Sequence, residues 1–407
     1  MKIGFIMVLL MLFCFCGKPG IESPTSPINL NHALSLVDSI KVDDERLHFI
    51  YIYADAPDYR PVVADQEGIS CVDDVGRFME VLETEICQYG RKDLLSVADG
   101  MTRFLLYMSR DDGLWYNFIH ADGEINKTYR TSTAEFQWWA VRGLRGLAAA
   151  YMILQKYPVD QMLERRVAER LHSMDAHLDS ILTNYPVKIE TDLGPRPTWL
   201  IRNAPDINSE LLLVLTKLHG RGDFDYEDEI RKIADGLVEY QYDNAESPLN
   251  GMYFCWQNVW HDWGNNQSTA LLKVYQITKN EKYLNSVRRW ADNFVSFFIS
   301  SEFPWDITLS TDGSYSMNQF PQIAYGIHSI YGGMKLLFDI TGEETYLAKA
   351  EKVFSWFSGN NPANTPMYDP STGRCYDGIN TPAEVNFNSG AESTIECLLA
   401  IQKRGRF

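Results

Sequence analysis

A helical hairpin that recurs about every 60 residues is the feature that most restricts the fold of this chain. Apolar residues recur at helical spacing through most of the 407-residue sequence, and long connections alternate with short ones. Three hairpins repeat the same spacing of eleven between an early residue and a phenylalanine: Asp93 and Phe104, Tyr283 and Phe294, Tyr346 and Phe357. Self-similarity of this kind indicates one supersecondary unit that is repeated and stacked.

The spacing predicts an all-α protein whose twelve helices form six antiparallel hairpins. The predicted helices cover 29–41, 72–90, 92–110, 134–156, 160–183, 207–220, 224–243, 265–279, 281–300, 320–341, 343–358 and 389–403. Six such hairpins can close into an (α/α)6 toroid, in which helix 29–41 lies beside helix 389–403. We therefore predict one domain over residues 29–407. An open solenoid is the alternative, but no polar capping unit is evident at either end.

The alternation of loop lengths has a consequence for where a ligand would bind. In a closed ring, all the long loops emerge on one face, and every inner helix begins at that face. The positive ends of six helix dipoles and their free N–H groups then converge on one cup. Such a cup suits anionic or hydroxyl-rich ligands.

The first residues are typical of an export signal. Lys2 gives a short positive region, and residues 3–13 are apolar apart from Gly4. Cys16 follows, and a Pro/Ser-rich stretch comes after it, as in a bacterial lipoprotein signal. We predict an export signal over 1–16, a tether over 17–28 and a possible lipid anchor on Cys16, with plain secretion as the alternative.

The composition excludes several classes of partner. A net charge of −17 and a pI of about 4.9 argue against binding to nucleic acid or docking of the folded body on anionic lipid. No pair of cysteines has the spacing of a zinc site or of a disulfide framework, so we expect buried thiols, no metal and no cofactor. We further predict a monomer. The five cysteines beyond the signal are Cys71, Cys87, Cys255, Cys375 and Cys397.

Acidic residues are concentrated where the predicted inner helices begin. The sequence Asp73-Asp74-Val75-Gly76-Arg77 opens the second helix, and Ser389-Gly390-Ala391-Glu392 opens the last one. Ser70-x-x-Asp73, Ser132-x-x-Glu135 and Ser389-x-x-Glu392 also fit a capping box, in which the acid only satisfies backbone donors. Capping and a functional role are therefore both open for Asp73 and Glu392.

The Asp-Asp-x-x-Arg segment at 73–77 and the C-terminal segments 361–378 and 388–394 together resemble the six-hairpin glycosidase-like proteins, over roughly residues 60–402. The resemblance implies an (α/α)6 fold and a carbohydrate ligand. A more distant similarity is to inverting endoglucanases, and it implies Asp73 or Asp74 as the base and Glu392 as the acid. An inverting pair would place one aspartate carboxyl within roughly 10 Å of Glu392.

Aromatic residues favour a sugar ligand, because indole rings offer flat apolar faces to pyranose C–H groups. We expect at least four of the six tryptophans in long loops to line the cup: Trp115, Trp199, Trp256, Trp260, Trp263 and Trp305. The predicted substrate-binding residues are Arg77, Trp115, Trp138, Trp256, Trp263, Asn265, Gln322 and Asn388.

The leading hypothesis is a glycoside hydrolase that acts on an oligo- or polysaccharide outside the cytoplasm. A polysaccharide lyase or a sugar epimerase on the same barrel is one alternative, but these enzymes favour a Tyr/His combination or paired histidines in the cup, and this sequence supplies few histidines there. A carbohydrate-binding lipoprotein without catalysis is the other alternative. In that protein Asp73, Asp74 and Glu392 would all be consumed by capping bonds.

Overall fold

The computed structural model describes residues 25–158, 160–405 and 407. The export signal, Cys16 and most of the tether lie outside this part of the chain. The described α-helices are α1 (Asn31–Ser35), α2 (Val72–Cys87), α3 (Leu95–Met108), α4 (Trp138–Lys156), α5 (Gln161–His172), α6 (Asp175–Leu182), α7 (Pro205–Leu218), α8 (Glu227–Glu239), α9 (Gln267–Thr278), α10 (Glu281–Arg289), α11 (Val295–Ser300), α12 (Ala324–Thr341), α13 (Glu344–Phe354) and α14 (Ala391–Arg404).

Six of these helices form a closed inner ring. Helix α2 packs on α4, α4 on α7, α7 on α9, α9 on α12 and α12 on α14, and α14 returns to α2. The inner helices carry the apolar residues of the core on several faces, as expected for helices that contact two neighbours and an outer layer. The predicted (α/α)6 toroid is confirmed, and the contact between α14 and α2 excludes an open solenoid.

The outer layer is formed by α3, α5 with α6, α8, α10 with α11, and α13. Two of the predicted outer helices are interrupted. Helix 160–183 divides into α5 and α6. Helix 281–300 contains a π-helical turn, Trp290–Phe294, between α10 and α11. Helix α4 begins at Trp138 instead of 134, because the backbone of Glu135 pairs with that of Trp115 in a β-bridge.

The first predicted helix, 29–41, is wrong over most of its length. Only α1 is helical, and it packs against α14 as the ring closure requires. The residues after it form an antiparallel hairpin that packs on α3. Val37, Ile40 and Val42 are β-branched and favour a strand, and Asp43 turns the chain with a φ of 51°.

The loops before the inner helices carry short antiparallel strands. The strands are β1 (Val37–Val42), β2 (Glu45–Ile50), β3 (Tyr53–Asp55), β4 (Arg60–Val62), β5 (Ser70–Cys71), β6 (Phe118–Ile119), β7 (Ile125–Asn126), β8 (Lys188–Thr191), β9 (Gly194–Pro197), β10 (Val259–His261), β11 (Asp306–Leu309), β12 (Tyr315–Asn318), β13 (Tyr368–Asp369), β14 (Arg374–Cys375), β15 (Gly378–Thr381) and β16 (Glu384–Asn386). They build the rim of the cup.

Glycine lets α2 and α4 approach closely. A Cβ atom on Gly76 would lie 2.4 Å from the carbonyl oxygen of Arg142, and one on Gly146 would lie 2.7 Å from Cα of Gly76. Only a residue without a side chain fits these positions. The close approach brings Arg77 of α2 and Arg142 of α4 to the same part of the ring.

The cysteines Cys71, Cys87, Cys255, Cys375 and Cys397 are all free. In the described part of the chain, no helix combines the length and apolar character that a membrane span requires.

Candidate functional site

The first turn of α2 leaves Asp73 available to the cup. Cys71 is the N-cap of this helix, and its Sγ accepts from the backbone N–H of Asp74 at 3.4 Å. Ser70 donates instead to the carbonyl oxygen of Ile50, so the capping box with Asp73 does not form. Asp73 is half-buried, and its Oδ2 accepts from Nδ2 of Asn117 at 2.9 Å.

Asp74 lies deeper and holds Arg77. Only 2% of Asp74 is exposed, and its Oδ1 accepts from Nη2 of Arg77 at 2.8 Å. The thiol of Cys71 donates to the other carboxyl oxygen at 3.2 Å. Burial raises the pKa of Asp74 to about 6, and the Arg77 charge opposes that shift. The carboxyl of Asp74 is thus committed to protein partners.

Arg77 joins the first and last inner helices. Its Nη1 donates to Oε2 of Glu392 at 2.9 Å and to Oε1 of Glu396 at 3.2 Å, both on α14. Asp74 and Glu392 hydrogen-bond to the same guanidinium, so their bonded oxygens lie within roughly 8 Å of each other. Ser389 donates to the carbonyl oxygen of Cys375, so Glu392 is not part of a capping box either.

Glu392 remains accessible from the cup, with 45% of its side chain exposed. Two adjoining cavities meet at this residue, one of about 250 Å³ and one of about 170 Å³. Asp73, Arg77 and Glu392 line both. Asp73 and Glu392 are therefore two acids that face the same space from neighbouring helices.

Aromatic rings form the other side of the smaller cavity, which Trp138, Trp263 and Tyr325 line. The Trp138 and Trp263 rings lie 5.8 Å apart, and Trp263 stacks on His261 with ring centroids 3.7 Å apart. The stack fixes the Trp263 indole as a flat wall of the cavity.

Both arginines that line the cavities are paired with carboxylates. Arg142 donates to the buried Glu210, with Nη2 and Oε1 3.1 Å apart. The ring of Tyr325 lies between the guanidinium groups of Arg142, at 5.0 Å, and Arg77, at 5.1 Å. Arg145 and Asn266 also donate to Glu210. The cup therefore has no uncompensated positive charge among its lining residues.

A hydrogen-bonded chain continues from Arg77 into the ring. His328 lies with its Nδ1 2.5 Å from Oε2 of Glu396 and its Nε2 2.6 Å from Nζ of Lys403. Lysine can only donate, so Nε2 accepts and Nδ1 carries the proton of a neutral imidazole. Burial lowers the pKa of His328 to about 4, which agrees with a neutral imidazole.

A second histidine lies behind Trp263. His261 places Nε2 3.2 Å from Oδ2 of Asp206 and donates from Nδ1 to the carbonyl oxygen of Trp263 at 2.7 Å. Asp206, Cys255 and His261 offer ligand atoms within 4.8 Å of one another. All three atoms already have hydrogen-bond partners in the protein, and none of the three residues lines the two cavities.

Sequence reasoning missed several residues of the cup. Tyr325 and Arg142 lie inside predicted helices and belong to no motif, so only their tertiary position reveals them. Asn117 lies in a loop that approaches α2 through β5 and β6. Asp377, in the recognised C-terminal segment, accepts from the backbone N–H of Gly390 at 2.8 Å and lines the larger cavity. Burial raises the pKa of Asp377.

Three predicted sugar-binding residues are wrong because they are buried in the protein. Trp115 is fully buried, and its ring packs against Gly143. Asn265 is buried and donates to Sγ of Cys255 at 3.1 Å. Gln322 is buried, donates to the carbonyl oxygen of Glu302 at 2.6 Å and accepts from Nε1 of Trp356 at 2.9 Å.

Asn388 and Trp256 lie outside the two cavities. Asn388 donates to Oδ1 of Asp55 at 2.8 Å and accepts from the backbone N–H of Ala56, so its amide holds the loop. Trp256 is 48% exposed and lines a separate cavity of about 660 Å³ on the same loop face. Arg202, Asn203 and Gln257 also line this cavity, each with a positive φ.

The prediction that at least four loop tryptophans line the cup is wrong. Trp115, Trp199 and Trp260 are buried, because the loops fold onto the ring and these indoles pack into its apolar core. Trp263 lines the cup beside Trp138, at the start of α4.

Solved structures of low sequence identity share the (α/α)6 toroid, and this confirms the fold that the resemblance in the sequence implied. A cellobiose 2-epimerase from Bacillus thermoamylovorans has a TM-score of 0.66 at 12% identity, over 92% of this chain and 96% of that chain. A family 76 glycoside hydrolase from a bovine Bacteroides thetaiotaomicron strain has a TM-score of 0.54 at 15% identity, over 87% and 74%.

An unsaturated glucuronyl hydrolase specific for heparin has a TM-score of 0.51 at 12% identity, over 87% of this chain and 90% of that chain. No protein-family model matches the chain, and no curated protein matches it significantly. The fold is thus one that carbohydrate-processing enzymes use. Those enzymes carry out different reactions, so the fold alone does not choose among them.

Proposed function

We propose that this protein is a glycoside hydrolase that acts on a neutral oligo- or polysaccharide outside the cytoplasm. The observation that carries the proposal is the position of Asp73 and Glu392, two accessible carboxyl groups that line the same two cavities from neighbouring inner helices. Hydrolysis of a glycosidic bond needs one carboxylic acid and one carboxylate on opposite sides of the scissile bond.

The contacts favour Glu392 as the base and Asp73 as the acid, the reverse of the order expected from the sequence. Arg77 donates to Glu392 and so holds a positive charge beside that carboxyl group. Among the described residues, the only side chain that donates to the Asp73 carboxyl group is the neutral amide of Asn117. Glu392 would take a proton from a water molecule while that water attacks the anomeric carbon. Asp73 would protonate the leaving oxygen as the glycosidic bond breaks.

The charge of the site supports a neutral sugar. Arg77 and Arg142 are paired with carboxylates, so neither is free to bind a uronate. Trp138, Trp263 and Tyr325 offer ring faces to pyranose C–H groups. The cavity at Trp256, on the same face, would hold more distant sugar units of a chain.

The histidines argue against an epimerase or a lyase. A histidine at the ligand is one arrangement that those enzymes favour, and neither His261 nor His328 lines the two cavities. His328 is buried between Glu396 and Lys403. Capping bonds do not consume Asp73 or Glu392, so the arrangement expected of a non-catalytic binding protein is absent from these two helix starts.

The test is a hydrolysis screen on a panel of neutral and acidic glycans, with products followed by NMR. The wild type is compared with Asp73→Asn and Glu392→Gln, and with Glu135→Gln as a matched control outside the two cavities. We expect new reducing ends from a neutral glycan, lost in the first two variants and retained in the control.

Three results would contradict the proposal. An epimerised sugar or an unsaturated product would identify a different reaction. Binding without turnover on every glycan would indicate a carbohydrate-binding protein. Activity on uronate-containing glycans alone would contradict the neutral substrate. The anomeric configuration of the first product tests the inverting mechanism, which we favour over a retaining one.

A further inference from the structure

A large charged cavity lies at the end of the ring opposite the cup. It has a volume of about 650 Å³ and is lined largely by the second halves of α2, α7, α9 and α14. His328 and Thr269 also line it, so the cavity reaches toward the middle of the ring. We call it the basal cavity. None of its lining residues belongs to the two cavities of the cup.

The basal cavity is basic in a protein whose net charge is −17. The cationic residues that line it are Arg145, Lys217, Arg221, Lys273 and Lys403, whereas the acidic ones are Glu80 and Glu83. Both acids already form ion pairs with two of these cations. Arg145 pairs with Glu80, and Lys217 pairs with Glu83.

Three cations of the cavity have no carboxylate partner among the described residues. Lys273 makes no ion pair or side-chain hydrogen bond there, although Asp339 lies close enough to act on it electrostatically. Lys403 contacts Nε2 of His328 at 2.6 Å, and Arg221 donates to the carbonyl oxygen of Lys217 at 2.8 Å. These contacts leave most N–H donors of Lys403 and Arg221 without a partner among the described residues.

A buried hydroxyl points to a ligand as well. Thr269 is 6% exposed and lines the cavity, and its Oγ1 has no hydrogen-bond partner in the described part of the chain. A buried polar atom without a partner costs free energy unless something binds to it. Cationic groups and a free hydroxyl in one cavity are the donors that an oxyanion requires.

Helix dipoles alone do not explain this arrangement. Cations near helix C-termini are favourable, and that accounts for some lysines at this end of the ring. The lysines nevertheless disfavour one another. Burial and the charge of Arg145 lower the pKa of Lys403 to about 8, and the charge of Lys273 acts in the same direction. A bound anion would relieve the repulsion.

We propose that the basal cavity is a binding site for an oxyanion, a phosphate or sulfate group, held by Lys273, Lys403 and Arg221 with the hydroxyl of Thr269. The site is separate from the cup, and binding there does not depend on the reaction proposed above.

The test is isothermal titration of the full-length protein with inorganic phosphate and with sulfate, at constant ionic strength set by chloride. We expect one saturable site per chain. Lys273→Met and Lys403→Met should each weaken binding by about tenfold or more, because each removes a charge from contact range. Lys352→Met removes an exposed lysine outside the cavity and should leave the affinity unchanged.

The pH dependence provides an independent check. The affinity of the wild type should fall as pH rises through 8, because Lys403 then loses its proton. Thermal melting of each variant verifies folding, and Lys273→Met is the variant least able to disturb the fold, because Lys273 has no ion-pair partner there. The absence of saturable binding, or equal weakening by Lys352→Met, would overturn the proposal.

Discussion

Arg77 donates from Nη1 to Oε2 of Glu392 over 2.9 Å, although the two residues are 315 positions apart in the chain. The bond joins the first and last inner helices at the point where the ring closes. It also places an accessible carboxylate beside Asp73 at the mouth of the cup. The contact that closes the ring therefore also assembles the candidate site.

The proposed acid and base should respond differently to the leaving group. A substrate with an activated aryl leaving group needs little protonation, so Asp73→Asn should retain much of its kcat on that substrate and lose activity on unactivated glycosides. Glu392→Gln should be inactive on both, because water is no longer activated. Steady-state kinetics on the two substrate types measures this. If Glu392→Gln kept its kcat on the activated substrate and Asp73→Asn did not, Glu392 would be the acid and Asp73 the base, as expected from the sequence.

Removal of Arg77 should destabilise the fold strongly. Arg77→Met leaves Asp74 and Glu396 buried without their cation, and breaking a buried pair in this way costs about 3–5 kcal/mol. Urea denaturation followed by circular dichroism measures the loss. Arg110→Met, which breaks an exposed pair with Asp112, should leave the stability nearly unchanged. Equal losses would show that the Arg77 network contributes little to ring closure.

Acid should destabilise the protein through His328. The pKa of His328 is lowered from 6.5 to about 4, so the unfolded chain binds this proton more readily than the folded one. The contribution of His328 is therefore fully present above pH 6.5 and is lost as pH falls toward 4, by about 1.4 kcal/mol per pH unit at most. Below pH 4.5, Glu396 adds to the loss, because its pKa is lowered to about 2.

The measurement for His328 is the free energy of unfolding at several pH values for wild type and His328→Gln. Glutamine can donate to Glu396 and accept from Lys403 but does not titrate. We expect the wild type to lose more stability than the variant between pH 6.5 and 4. His120→Gln serves as the control, and parallel curves for wild type and His328→Gln would contradict the assignment.

Trp256 should matter only for long substrates. It lines a cavity separate from Asp73 and Glu392, so Trp256→Ala should raise KM for a long oligosaccharide and leave kinetics on a disaccharide unchanged. Trp263→Ala removes a wall of the cup and should affect both lengths. Kinetics on a series of oligosaccharide lengths measures this, and equal effects of Trp256→Ala at every length would contradict the assignment.

Much of the fold was predictable because helical periodicity and loop length are local properties. The alternation of long and short connections is enough to predict the ring, its single loop face and the helix ends where acids accumulate. The error over 29–41 arose because strand-favouring residues follow α1, and the docking of that hairpin on α3 decides between the two structures.

The roles of side chains in the site were less predictable. Ser70 and Ser389 fit capping boxes in the sequence, yet both donate to distant carbonyl oxygens, and this frees Asp73 and Glu392 for the cup. Trp115 and Gln322 have the composition of binding residues but are buried under the loops. Which face of a loop a residue presents depends on what the loop packs against, and a local pattern does not contain that information.

The amino-acid sequence by itself determined the repeated hairpin and the concentration of acids at the helix starts, because these follow from periodicity and spacing within about 60 residues. The contact between α14 and α2 decided that the hairpins close into a ring. Only the tertiary structure decided that Asp74 is committed to Arg77, that Asp73 and Glu392 share a cavity, and that Tyr325 and Arg142 complete it. The physical reason is that burial and ion pairing depend on contacts between helices far apart in the chain, and those contacts form only when the ring closes.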